Sequence, residues 1–219
     1  MQQIKLLQSL YQQRFLGYEY FEDIKNSPFE KSNMDDMPSS LQELQSYIGD
    51  CSLCNLSKSR KNIVFGEGNL DASIMFIGEA PAELEDNSGR VFVGKAGELL
   101  DKIIENVLML KREDVYISNI VKCRPPTNRT PTDEECNSCK PFLLKQIEIV
   151  KPKIIVALGS TSYSYLTGEM DVNISRIRGE MTVFGDSMIM PTFHPSFLLR
   201  NPSLKREVMS DMLKIKAIL

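Results

Sequence analysis

Four short apolar runs recur along the chain with helical stretches between them, and no other feature restricts the fold as much. They are Ile74–Ile77, Val115–Ser118, Lys153–Leu158 and Met188–Phe193. Each has strand length, and the first and third are nearly continuous in hydrophobicity, the pattern of strands buried on both faces. Between the runs, Leu99, Leu100, Ile103, Ile104 and Val107 repeat at helical spacing over Gly97–Leu108. Thr132–Val150 reads as a helix with a Thr cap and acidic residues in its first turn, which suits the helix dipole. Ser160–Leu166 is a short helix and Ser203–Ile218 a closing one. Met181–Phe184 and the fourth run read as a hairpin around Gly185-Asp186. Strands separated by helices predict an α/β fold: a three-layer α/β/α domain with a central, mainly parallel four-stranded sheet.

The first forty residues follow a different pattern. Ile4, Leu7, Leu10, Tyr11 and Phe15 give residues 2–16 an amphipathic helical character that ends near Gly17, and residues 26–40 read as a linker. Ser39 or Ser40 can cap a short helix, LQELQSYIGD. The predicted organisation is a helical arm and linker over 1–40 and the α/β domain over 41–219. The arm is either a solvated helix or a surface for a protein partner. The charge is unevenly spread: residues 1–50 carry four Lys/Arg against eight Asp/Glu, leaving the remainder at +1 within an overall −3. Binding to a polyanion would therefore need local clustering of positive charge. No apolar run reaches membrane-spanning length, and the N-terminus lacks a signal peptide's apolar core and small-residue cleavage site, so the expectation is a cytoplasmic monomer without a membrane partner.

The polar residues that matter follow the strand ends. Glu79 comes after the first run, Asn119 ends the second, Gly159-Ser160 follow the third and His194 follows the fourth. Open α/β sheets bind ligands outside the carboxyl ends of their strands, so four such groups converge on one crevice. A loop carrying a single aromatic, Phe92 between Val91 and Val93, leads from the first strand towards the next helix.

Five cysteines in a chain without an export signal argue against a disulfide framework. Cys51 and Cys54 share one tight turn, Cys123 precedes the rigid Arg124-Pro125-Pro126, and Cys136 and Cys139 lie at i and i+3 on one helical face. Spacing leaves two readings open. Zinc between two C-x-x-C pairs would leave Cys123 unused across an 81-residue gap. A [4Fe–4S] cluster would draw four ligands from the five.

Several motifs in order and spacing resemble the iron–sulfur, family-four branch of the uracil-DNA glycosylases over about residues 48–219. They are GEAP at Gly78–Pro81 with Glu85-Asp86 following, GRVFVGKAGELL from Gly89, NIVKCRPPTNRTP from Asn119, and HPSFLLRNP from His194. The resemblance implies excision of uracil from single- or double-stranded DNA, leaving an abasic site. It implies a structural [4Fe–4S] cluster on Cys51, Cys54, Cys123 and Cys139, with Cys136 outside the ligand set. Glu79 and His194 are then the catalytic pair: Glu79 serves the water and the cationic sugar, and His194 the charge on departing uracil. Gly78, Ala80, Asp86, Phe92 and Asn119 form the base site, with Phe92 stacking and the Asn119 amide pairing with O4 and N3–H. A flipped base leaves a gap that Leu198 or Leu199 can fill. Lys122, Arg124, Arg129, Arg200 and Lys205-Arg206 are candidates for phosphate contact, with Leu199 and Arg200 favoured at the DNA surface. The chain departs from the family at Ala82, usually Gly, which adds a methyl beside the base pocket. The rival readings are a non-catalytic cluster-bearing DNA-binding module attached to replication or repair machinery, and a zinc-stapled interaction protein.

Overall fold

A computed structural model describes residues 37–219. The helix expected over residues 2–16 and most of the expected linker lie outside the described residues. The first described helix, α1 (Leu41–Tyr47), starts where Ser40 accepts a hydrogen bond from the Glu43 backbone N–H at 3.2 Å.

Six strands form one sheet in the order β1-β3-β2-β4-β6-β5. They are β1 (Glu67–Gly68), β2 (Ile74–Gly78), β3 (Tyr116–Asn119), β4 (Ile154–Leu158), β5 (Thr182–Phe184) and β6 (Ser187–Thr192). The inner four are parallel, as the alternation of runs and helices predicts. A short antiparallel strand is added at each edge. At one edge is β5, the expected hairpin partner of β6. At the other is β1, which is two residues long and leaves no period for a sequence to reveal.

Helices cover both faces because each inner strand alternates its side chains between two cores. Met75, Ile77, Ile155 and Ala157 share one core with Leu41 and Leu44 of α1 and with Phe142 and Leu143 of α4 (Asp133–Val150). Tyr163 and Leu166 of α5 (Ser160–Thr167) join them. Ile74, Phe76, Ile154 and Val156 face the other way, onto Leu100 of α3 (Lys95–Ile103) and Leu198 of α7 (Pro195–Arg200). Val208, Met212 and Ile215 of α8 (Lys205–Lys216) complete that layer. Two short helices, α2 (Glu83–Ser88) and α6 (Ile174–Ile177), sit in the connections. Among the described residues no helix is long and apolar enough to cross a membrane.

Register carries the fold towards its site. In the β2–β3 pair Gly78 lies opposite Asn119, so two strand ends finish side by side. The chain then stays tied: Ile120 N–H donates to Gly78 O at 2.9 Å and Val121 N–H to Glu79 O at 3.2 Å.

Candidate active site

A cleft of about 610 Å³ opens at the carboxyl ends of β2, β3, β4 and β6. Glu79, Ala80 and Ala82 line it after β2, Asn119 at the end of β3, Gly159-Ser160 after β4, and Phe193-His194 after β6. The four strand ends singled out in the sequence do meet there. Phe92 reaches the same cleft from the loop between α2 and α3.

Gly78 is the floor on which two of these side chains rest. A Cβ at this position would come within 2.4 Å of Asn119 Oδ1 and 2.6 Å of Phe92 Cζ, so only glycine allows both to sit over the strand end. Phe92 is packed 5.7 Å from the His194 ring, centroid to centroid, with the planes tilted by 32°. Asn119 is 1% exposed, and its Oδ1 is buried without a hydrogen-bond partner. Buried amide oxygens are almost always paired, so an orphan acceptor on a cleft wall marks a place for a donor from outside.

His194 is held in one tautomer. The Ser196 backbone N–H donates to its Nδ1 at 3.1 Å, and a backbone amide can only donate. The neutral ring therefore carries its proton on Nε2. Burial, followed by the Arg200 guanidinium, lowers His194 to about 4. The ring is thus a neutral donor at physiological pH.

A second constellation lies away from the cleft. Cys51, Cys54, Cys123 and Cys139 line one small cavity together with Arg60 and Lys122. Arg60 donates to Cys123 Sγ at 3.6 Å, and the Lys122 backbone N–H donates to Cys139 Sγ at 3.3 Å. Burial pushes the Cys139 thiol up to about 12, with Lys122 opposing the rise and the Cys123 and Cys51 sulfurs adding to it. Cys136 does not line this cavity. It faces Tyr165, and burial raises it to about 12. Among the described residues no three His, Cys, Asp or Glu side chains are grouped so as to hold a single metal ion.

A family model described as the uracil DNA glycosylase superfamily matches residues 65–214, which include all four strand ends of the cleft. The chain belongs to this superfamily. It is 51% identical over 175 residues to a Type-4 uracil-DNA glycosylase of Thermotoga maritima, covering 78% of this chain and 91% of that one. A Type-4 uracil-DNA glycosylase of Saccharolobus solfataricus is 46% identical over 179 residues, covering 78% and 83% respectively. A third, from Sulfurisphaera tokodaii, is 43% identical over 186 residues, covering 82% and 84%.

Three expectations for this superfamily member change in the structure. Asp86, placed with the base site, does not line the cleft. Its Oδ1 accepts the backbone N–H groups of Lys61 and Asn62 at 2.9 and 3.2 Å, so it fixes the loop behind α2. Lys122, offered as a phosphate contact, is 1% exposed and donates to Ser118 Oγ and Asn119 O, both at 2.7 Å. Burial lowers its ammonium to about 8, against the pull of the neighbouring Cys139 and Cys123 sulfurs. Leu198 lies in the core, which leaves Leu199, 41% exposed, as the leucine open to solvent beside Arg200 at the cleft rim. Ala82 takes an extended backbone at the start of α2, where alanine is unstrained, and its methyl lines the cleft. Phe193 and Phe197, with ring centroids 5.2 Å apart and planes tilted by 34°, add an apolar wall to the cleft that no sequence motif marked.

Proposed function

We infer that the protein is a uracil-DNA glycosylase that hydrolyses the N-glycosidic bond of deoxyuridine in DNA and leaves an abasic site. The observation that carries this reading is the buried, unpartnered Asn119 Oδ1 on a cleft that also holds an aromatic ring and a neutral imidazole donor. Uracil offers N3–H to that oxygen, and its O4 can accept from the same amide. Cytosine has a ring acceptor at N3 and an amine at C4, so both contacts fail. The identity to Type-4 uracil-DNA glycosylases over most of the chain supports the same substrate.

In the reaction the bond between C1′ and N1 breaks and its electron pair leaves with uracil. Negative charge develops on the base, and His194 Nε2–H meets it at O2. Positive charge develops on the sugar. Glu79, at the exit of β2, stabilises that cation and takes the proton of the attacking water, so that a hydroxyl ends on C1′. Phe92 holds the flipped base by its face. At the rim, Arg200 meets a backbone phosphate and Leu199 fills the space the base has left. A non-catalytic DNA-binding role would leave this set of cleft groups without use. The test is alkali cleavage of oligonucleotides incubated with the protein. Strand scission is expected at uracil and not at cytosine, in single strands and opposite guanine alike; equal treatment of both bases would remove Asn119 from base reading.

The four cavity cysteines fit a [4Fe–4S] cluster. The donor set is right in number and kind, and two of its sulfurs already accept N–H bonds of the sort that tune and hold cluster thiolates. When bound, the cluster supplies a structural cross-link between the Cys51–Cys54 turn, the Cys123 loop and α4. Anaerobically purified protein is expected to be brown, with about four irons per chain. Cys136→Ser should keep the colour and Cys139→Ser should lose it. The reverse outcome would put the wrong face of α4 at the cavity.

The neutral state of His194 sets a pH dependence. Its proton affinity is lowered to about 4, so the ring does not titrate between about pH 5 and pH 8. Single-turnover cleavage should then show no imidazole inflection near the ordinary histidine value. An inflection between pH 6 and 7 that disappears in His194→Ala would contradict a neutral donor.

A further inference from the structure

Phe92 has φ +48°, in the left-handed region that a bulky residue occupies only when its surroundings hold it there. What holds it is visible on both sides of the turn. Glu85 Oε1 accepts the Val93 and Gly94 backbone N–H groups at 3.0 and 3.2 Å. From the other side the Arg112 guanidinium donates to Val91 O at 2.5 Å and to Phe92 O at 3.4 Å. Arg112 is itself anchored by Glu67 of β1 at 2.9 Å and Asp101 of α3 at 2.6 Å. Gly97 of α3 lets the helix close onto the turn, since a Cβ there would lie 1.7 Å from Phe92 O.

We propose that Arg112 is a positioning residue for base recognition: it holds the strained Phe92 turn so that the ring is already set to stack on the flipped base. Arg112 does not line the cleft, so its effect on the base runs through the Phe92 turn. This rests on the reading of Phe92 as the stacking ring. The planar fork matters, because one side chain must reach two successive carbonyls and two carboxylates at once. A lysine retains the charge facing Glu67 and Asp101 but offers one ammonium in place of the fork. Preorganisation of this kind shows in affinity for the base, since the free protein otherwise spends binding energy on ordering the turn.

The experiment is a double-mutant cycle with Phe92→Ala, reading dissociation constants for DNA with an uncleavable uracil nucleotide and for DNA with an abasic-site analogue. Phe92→Ala should weaken binding to the uracil DNA by on the order of tenfold, as loss of one base stack does. Arg112→Met and Arg112→Lys should weaken it several-fold while leaving affinity for the abasic DNA unchanged. In the Phe92→Ala background neither should have a further effect. Arg112→Lys should melt close to the wild-type temperature, so the cycle stands on that variant if Arg112→Met does not fold. Equal losses in both backgrounds, or a parallel loss for abasic DNA, would make Arg112 a scaffold residue and overturn the proposal while leaving Phe92 as the stacking ring. Unchanged uracil binding by Phe92→Ala would overturn the stacking reading, and the proposal with it.

Discussion

Asn119→Asp is expected to lower uracil excision by about 10⁴-fold or more, the scale on which sites built to hydrogen-bond one group reject its mismatch. The amide is 1% exposed and lies opposite Gly78 in the β2–β3 register, so it cannot swing away to solvent. A carboxylate there accepts and does not donate, and it would face uracil O4 oxygen to oxygen. Burying the charge adds a further penalty. The loss should appear in binding to uncleavable uracil DNA, measured below the melting temperature that the buried charge lowers. Normal affinity with slow cleavage would move Asn119 from recognition to chemistry.

Glu79→Gln and His194→Ala are expected to do the opposite. Each should bind uracil DNA nearly as the wild type does and cleave it slowly. For His194 the expected loss is about 10²–10³-fold, the usual cost of one donor to a developing oxyanion. Glu79→Gln retains the shape and a polar tip but neither takes the proton of water nor faces the sugar with negative charge. A defect in the single-turnover rate with binding preserved is the signature of groups that act in the transition state. Near-normal cleavage by both variants would show that the cleft at the strand ends is not where the bond breaks.

These residues were legible because they sit where the strand pattern places them. Apolar runs predicted the inner strands, and the residue after each run predicted the cleft. The long α4 was legible through Thr132, whose side chain accepts the Glu135 N–H at 3.3 Å, even though Pro141 lies inside it. What could not be read were contacts set by distant parts of the chain. Lys122 looks like a surface charge in a loop, yet the strand end and the cysteine cavity enclose it. Asp86 looks like an active-site acid because it follows Glu79 in a motif, but its partners are backbone amides 24 and 25 residues earlier. Arg112 carries no local signal, because its partners Glu67, Val91 and Asp101 come from three separate segments.

The strand-end cleft should take an intact deoxyuridine and return two products. The measurement is a mass balance with wild-type, cluster-loaded protein in stoichiometric amounts over a uracil-containing duplex. Free uracil and abasic sites, quantified separately, should appear together and in equal amounts, without added metal or nucleotide. DNA that is bound yet still carries its full complement of uracil after prolonged incubation would show that the cleft does not break the glycosidic bond.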